Sequence, residues 1–374
     1  MAPGVGRGPG FGVVMVKNLH GESCLGRQEY LHRLCQSTET TLRTGFGPPL
    51  CTVGAMTSPV PAHLPRPVAV VGPTGSGKSE ISLALAGALD GEVVNIDSMQ
   101  LYRGMDIGTA KLPVARRRGI AHHLFDVLDV TDTASVAAYR DAAVAVVDDI
   151  RDRGRTPVVV GGSMMYVQAL FDAWDLPPTD PQVRARWEAE LERIGVEALH
   201  DELARQDPVA AQIIERRDPR RTVRALEVIE LTGKPFAASQ PPKDRPTRWD
   251  ALLLGLQADA DWLNPRLEQR VATMVEAGLL DEVRGLVETG LRRDSTAGQA
   301  IGYAQMLDHL SGHLSFDEAV EATVTGTRRY ARRQRAWFRR DPRIRWVAAS
   351  GTDPAGEALR TVMETVRASR GTAQ

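Results

Sequence analysis

The chain has 374 residues, 43% of them hydrophobic and 25% charged, with 46 basic against 47 acidic side chains and a formal net charge of −1. This is the composition of an ordinary globular protein, with room for two domains or for one large α/β domain carrying an insertion. It excludes a globally basic nucleic-acid sleeve, so any RNA surface must be a local patch, and no apolar run approaches the ~20 residues of a membrane helix.

Residues 1–66 differ in texture from the remainder of the chain. Met1 to Gly12 is dominated by Gly and Pro, and Gly45-Phe46-Gly47-Pro48-Pro49 repeats that pattern, so a disordered N-terminal extension is expected, with Met56 as an alternative translation start. The apolar run Val13–Val16 is too short for a signal peptide. All three cysteines, Cys24, Cys35 and Cys51, fall in this segment, which leaves the body of the chain without a disulfide or a cysteine metal site and suits a reducing cytoplasm.

Pro67-Val68-Ala69-Val70-Val71 is a short β-branched run that predicts a buried strand. Gly72-Pro73-Thr74-Gly75-Ser76-Gly77-Lys78-Ser79 comes next and meets the P-loop pattern G-x-x-x-x-G-K-[ST] at every fixed position; a helix is predicted from Glu80. A strand, a glycine loop and a helix start wrap successive backbone N–H groups around an anion. Lys78 adds a charge toward the outer phosphates, and the Ser79 hydroxyl is a candidate Mg²⁺ ligand. The loop binds a phosphorylated ligand without saying which.

Glu92 to Asp97 reads as a strand ending in a carboxylate. In parallel α/β sheets ligands sit beyond the carboxyl ends of strands, so Asp97 should face the P-loop ligand. A helix cap is the bland alternative. His122 to Val127 predicts another strand, and its adjacent histidines point to opposite faces, which argues against a shared metal ion. A helix is expected from Ser135 to Arg153, then a buried strand from Thr156 running into Gly161-Gly162-Ser163. Strands alternating with helices predict a parallel α/β sheet flanked by helices, of the P-loop NTPase-like kind.

From residue 175 to 249 the sequence is charged and helical, including Asp180 to Ile194 and Pro219 to Leu231, so a helical insertion is predicted between a first core part, 67–174, and a second, 250–350. Arg220, Arg221 and Arg224 cluster at the start of one of its helices. The core resumes with a strand at Ala251–Leu256 and continues through a long helical region from Asn264 to Glu288, with Arg266 and Arg270 one turn apart. Another helix opens at Gln299 to Tyr303. The helix from Phe316 to Arg340 carries Arg328, Arg332, Arg335 and Arg339 at i, i+4, i+7 and i+11, one basic stripe interleaved with Tyr330, Trp337 and Phe338. The helix macrodipole explains part of this, but the number of arginines points to a phosphate backbone. Ile344 to Val347 predicts a last strand, and residues 351–374 form a tail without a clear signal.

Taken together, GPTGSGKS (72–79), IDSMQLYRGMDIGTAK (96–111), VVGGSMMY (159–166), DPRRTVRALEV (218–228), LEQRV (267–271), QAIGYAQM (299–306) and RRYARRQRAWFR (328–339) resemble the tRNA dimethylallyltransferase (isopentenyltransferase) family from about Pro67 to Val347. The resemblance implies transfer of a dimethylallyl group from dimethylallyl diphosphate to N6 of adenine 37 of tRNA, beside the anticodon, by a monomer with Mg²⁺. The P-loop would then hold a diphosphate leaving group, which fits the lack of a convincing Walker-B acid. It further implies that Asp97 is the general base, with Lys78, Arg270 and Ser163 (usually Thr in the family) as further catalytic residues. Contacts to tRNA would fall on Asp97, Ser98, Met99, Gln100, Ser163, Arg184, Arg220, Arg221, Arg224, Gln299, Gly302, Tyr303, Arg328 and Arg332. Ala304 stands where some members are basic. A small-molecule kinase, an RNA-binding protein with a vestigial P-loop and a transferase acting on free adenine nucleotides are the rival readings. The first would consume ATP and leave the arginine stripe without a use.

Overall fold

The structure is a computed structural model, described here for residues 64, 66–172, 174, 176–236 and 246–371. The three cysteines, the Met56 start and nearly all of the expected disordered extension lie outside the described residues.

Six parallel strands form one sheet in the order β3-β2-β4-β1-β5-β6. They are β1 (Val68–Val71), β2 (Gly91–Asn95), β3 (His122–His123), β4 (Thr156–Val160), β5 (Leu252–Gln257) and β6 (Arg345–Ala348). The residues of β1, β2 and β4 are all buried, as expected of strands covered by helices on both faces. The apolar core joins these strands to α1 (Lys78–Ala88) and packs Leu64, Leu85, Val158 and Leu254 with no exposed surface.

β3 is far shorter than the strand expected from His122 to Val127. Leu124 and Asp126 take positive φ values of 62° and 56°, which no strand residue adopts, and the pairing stops at His123. The histidines serve different partners, as the alternation of side chains predicts. His122 Nδ1 lies 2.8 Å from the Ile120 carbonyl, and His123 Nε2 lies 2.7 Å from the buried Glu92 carboxylate.

Helix α2 (Val136–Asp152) starts at the Ser135 cap. Beyond β4 the chain enters α3 (Met164–Phe171), and residues Met165–Asp250 form a compact unit of their own. This unit begins earlier than residue 175, because apolar α3 is tied to its closing segment. Arg248 Nε donates to the Leu170 carbonyl at 3.0 Å, and the Phe171 and Trp249 rings meet edge to face. The unit contains α4 (Pro181–Ile194), α5 (Val196–Gln206), α6 (Pro208–Ile213) and α7 (Pro219–Thr232). Asp180, Asp207 and Asp218 each cap a helix that begins with proline, and left-handed Gly233 ends α7. Its own core includes Leu199, Leu203, Val223 and Leu226.

In the sheet unit, the helical region expected from Asn264 to Glu288 is two helices, α8 (Ala260–Glu276) and α9 (Leu279–Glu288), separated at left-handed Gly278. Helix α10 (Tyr303–Leu310) begins after a short 3₁₀ turn, and α11 (Phe316–Phe338) opens with a Ser315/Glu318 capping box. The residues after β6 form α12 (Pro354–Gly371). Its Ala358, Val362, Met363 and Val366 enter the sheet core and it packs on α1, a role the polar-looking tail did not reveal.

Candidate active site

The P-loop bridges β1 and α1 at the carboxyl edge of the sheet. Gly75 and Gly77 hold φ of 78° and 88°, which a side chain would strain, and Gly77 is the N-cap of α1. Ser76 is buried, and its hydroxyl donates to the Pro73 carbonyl at 2.8 Å, bracing the loop from inside. Lys78 Nζ folds back to the same carbonyl at 2.7 Å. Desolvation pulls the Lys78 ammonium down to about 8; Asp97 opposes that shift and Arg270 adds to it. Ser79 is exposed on the first turn of α1.

Asp97 follows β2 and is held by its neighbours. Asn95, with no exposed surface, accepts from the Asp97 N–H and donates to the carbonyls of Asp97 and Leu124, all at 2.9 Å. Asp97 Oδ1 accepts from the Met99 N–H at 3.0 Å. Asp97 thus does make a local turn bond, as the helix-cap alternative supposes, yet it also interacts electrostatically with Lys78, Arg270 and Tyr330. A carboxylate flanked by two cations beside an anion loop is more than a cap.

Ser163 comes from the turn after β4. Its Oγ accepts from the Ser98 N–H at 3.0 Å and lies 3.2 Å from the Ser98 hydroxyl. Arg270, on α8, is half-buried; desolvation lowers its pKa against the pull of Asp97, and its Nη2 is 3.4 Å from the Thr109 carbonyl. Gln100 Nε2 donates to that same carbonyl at 3.0 Å. The structure therefore gathers Lys78, Asp97, Ser98, Gln100, Ser163 and Arg270 from four separated stretches of sequence.

Not every expected contact residue is available. Tyr303 has no exposed surface, and its hydroxyl donates to Glu282, which also accepts from the N–H groups of Asp106, Ile107 and Gly108. Its side chain belongs to the second core of the sheet unit, between α9, α10 and α11. Ala304 is buried too. Gly302 is spent on the helix start, where its N–H donates to Gln305 at 2.8 Å, whereas Gln299 is exposed. In the helical unit, Arg184 and Arg224 both grip Glu227, a carboxylate with no exposed surface, and Arg224 also donates to the carbonyls of Pro177 and Pro178. Arg220 and Arg221 remain on the surface.

The arginine stripe on α11 is less uniform than its spacing suggests. Arg332 and Arg339 are exposed, while Arg328 pairs with Glu268 at 2.5 Å. Arg335 turns inward and lines a cleft with Pro73 and Trp346, and its Nε has no acceptor among the described residues. Gln334, which received no role from sequence, sits on the buried side of the same helix and bonds both the P-loop and the Gly162 turn. Tyr330, read above as part of the basic stripe, lies instead beside Ser163, Gln334 and Asp97. The available signal was a glutamine at the inward spacing Ala331, Gln334, Phe338.

These features recur in known proteins. Residues 100–341 match the family described as IPP transferase. The chain is 66% identical over 302 residues to the tRNA dimethylallyltransferase of Corynebacterium jeikeium, covering 80% of this chain and 97% of that one. It is 59% identical over 312 residues to that of Rhodococcus jostii, covering 83% and 99%. Among solved structures, the full-length tRNA isopentenylpyrophosphate transferase of Bacillus halodurans aligns with a TM-score of 0.60 at 37% identity, over 82% of this chain and 96% of that one. A eukaryotic dimethylallyltransferase captured acting on tRNA aligns with a TM-score of 0.66 at 28% identity, over 79% and 77%. With this identity across nearly the whole length of its relatives, the chain belongs to the tRNA dimethylallyltransferase family.

Proposed function

We infer that this enzyme transfers the dimethylallyl group of dimethylallyl diphosphate to N6 of adenine 37 in tRNA, releasing diphosphate. The observation that carries the reading is Asp97 placed among Lys78, Arg270 and Ser163 beside an anion-binding loop. A hydrolase would need a positioned water there; a prenyl transferase needs a base for an amine.

The adenine N6 lone pair is delocalised into the ring, so the amine is a weak nucleophile. As N6 bonds to the allyl carbon, the C–O bond to diphosphate breaks and one N6 proton passes to the Asp97 carboxylate. Negative charge gathers on the departing diphosphate, where Lys78, Arg270 and the loop N–H groups stabilise it. The Ser163 hydroxyl, already bonded to Ser98, orients the acceptor. A base in an anticodon loop must leave its stack to reach this site.

Mg²⁺ suits the site through its oxygen donors. The exposed Ser79 hydroxyl is one, and among the described residues no cluster of three or more His, Cys, Asp or Glu side chains competes to cage an ion. Ser79 would help hold such an ion, which would supply charge neutralisation to the leaving group. The exposed Arg332 and Arg339 of α11 are the cations this reading offers to the tRNA backbone; Arg220 and Arg221 of the helical unit are exposed candidates of their own. No helix among the described residues is long and apolar enough to cross a membrane; in this reading the enzyme works on tRNA in the cytoplasm, as a monomer.

Incubation of unmodified tRNA with radiolabelled dimethylallyl diphosphate tests the reading. Label enters tRNA, and no ATP is consumed. Label absent from tRNA, with ATP hydrolysed or a small phosphate acceptor used up, overturns it.

A further inference from the structure

We propose that Gln334 is a positioning residue, whose carboxamide sets the separation between the diphosphate loop and the Asp97–Ser163 face. The proposal rests on the transfer reaction inferred above. It starts from how β1 and β4 come apart. The two strands pair from Val68↔Val158 to Val70↔Val160, and the Gly161 N–H still donates to the Val70 carbonyl at 3.2 Å. Past that point both strands turn away into loops: the P-loop on one side, the Gly162-Ser163 turn on the other.

Gln334 supplies the next rung. Its Oε1 accepts from the Thr74 N–H at 2.9 Å, and its Nε2 donates to the Gly162 carbonyl at 2.9 Å. A carboxamide offers one donor and one acceptor in a plane, as a peptide group does, so it extends the pairing where the backbone cannot. The residue is 2% exposed, and the approach is close: a Cβ on Gly162 would lie 2.2 Å from Gln334 Nε2 and 2.9 Å from the Gly72 carbonyl. Glycine at 162 is thus a requirement of this bridge.

The bridge has two consequences for chemistry. Thr74 N–H is turned away from the ligand, so the anion is left to the amides from Gly75 onward. The leaving-group loop and the turn carrying Ser163 are thereby joined into one frame, with Tyr330 beside Ser163 and Gln334 one helical turn earlier. In the reaction inferred above donor and acceptor meet across that frame, and an error of about 1 Å in their approach costs on the order of 10²-fold in rate.

The test compares Gln334→Met, which keeps the volume and removes both bonds, with Gln334→Glu. Single-turnover transfer is measured at saturating dimethylallyl diphosphate and tRNA, beside tRNA affinity and melting temperature. Gln334→Met is expected to lose roughly 10²-fold in transfer while tRNA affinity stays within about threefold. In Gln334→Glu the ionised carboxylate can accept from Thr74 but has nothing to give Gly162; the protonated acid does both, and burial raises its pKa. The deficit of Gln334→Glu relative to wild type therefore shrinks as pH falls toward about 5. Wild-type rates for Gln334→Met, a loss confined to tRNA affinity, or a pH-independent deficit in Gln334→Glu overturns the proposal. Should Gln334→Met fail to fold, the pH profile decides alone. If wild type transfers no label, the reaction itself falls, which is a separate outcome.

Discussion

Helix α11 and the helical unit use arginine in opposite ways. In the helical unit many arginines are paired internally, although Arg220 and Arg221 stay exposed: Arg186 pairs with Glu230, Arg216 with Asp201 at 2.9 Å, Arg217 with Glu197 at 2.9 Å, and Arg184 and Arg224 with Glu227. On α11 of the sheet unit, Arg332, Arg335 and Arg339 have no carboxylate partner among the described residues. Exposed ion pairs are worth little to stability, so those of Arg186, Arg216 and Arg217 mainly neutralise the unit, whereas Glu227 is buried and depends on its arginines. Unpaired cations repel one another in the free protein and are relieved only by a polyanion. A count of basic residues sees no difference between the two.

The sharpest way to break this contrast is at the carboxylate that the sheet unit keeps among cations. Asp97→Ala is expected to lower transfer to tRNA by about 10²–10⁴-fold with little change in tRNA affinity. Equal transfer by both proteins would leave Asp97 a turn residue only. Next comes the paired side. Arg224→Ala leaves Glu227 with Arg184 alone and frees the Pro177 and Pro178 carbonyls, so chemical denaturation should show a loss of about 2 kcal/mol, roughly thirtyfold in the folding equilibrium. An unchanged midpoint would mean that this arginine is available to RNA after all.

A pH profile probes Lys78. Its folded pKa is depressed, to about 8, so the free enzyme carries the ammonium below that value and loses it as pH rises through it. Donor kcat/KM should therefore be level below about 8 and fall by roughly tenfold per unit above it. Continued activity to pH 10 would show the lysine to be uninvolved in donor capture. The smallest effect lies on the unpaired helix. Arg332→Ala should reduce the salt slope of tRNA binding by about 0.7–0.9, and Arg186→Ala in the helical unit should leave it unchanged. If the two variants behave alike, the contrast between the units has no bearing on RNA.

Much of the architecture was legible because it is local. The P-loop, the strands at Val68, Glu92, Thr156 and Leu252, and the helices α4 and α7 each depend on neighbours in sequence. The site was legible where a motif fixes the residue: Lys78, Asp97, Ser163 and Arg270 do come together. What escaped depends on distant partners. The strand after His123 fails because Leu124 and Asp126 turn left-handed, one of them to present its carbonyl to Asn95. Tyr303 reads as a contact residue until Glu282 is seen to claim its hydroxyl. Gln334 looks like one more polar residue on a basic helix, because spacing alone does not say which side the P-loop occupies.

The helix formed by Pro354–Gly371 lies against α1, the helix that the P-loop opens, and lends Val362 and Val366 to the same core as Leu85. These partners are far apart in sequence, with strands β2 to β6 and the helical unit between them. Until Pro354–Gly371 is made, the side of α1 that it covers stays open, while β1, β2 and β4 already pack on the other side. Contacts this distant in sequence close late and slow folding. A fragment ending before Pro354 would therefore carry the whole phosphate loop on a core that lacks its outermost layer.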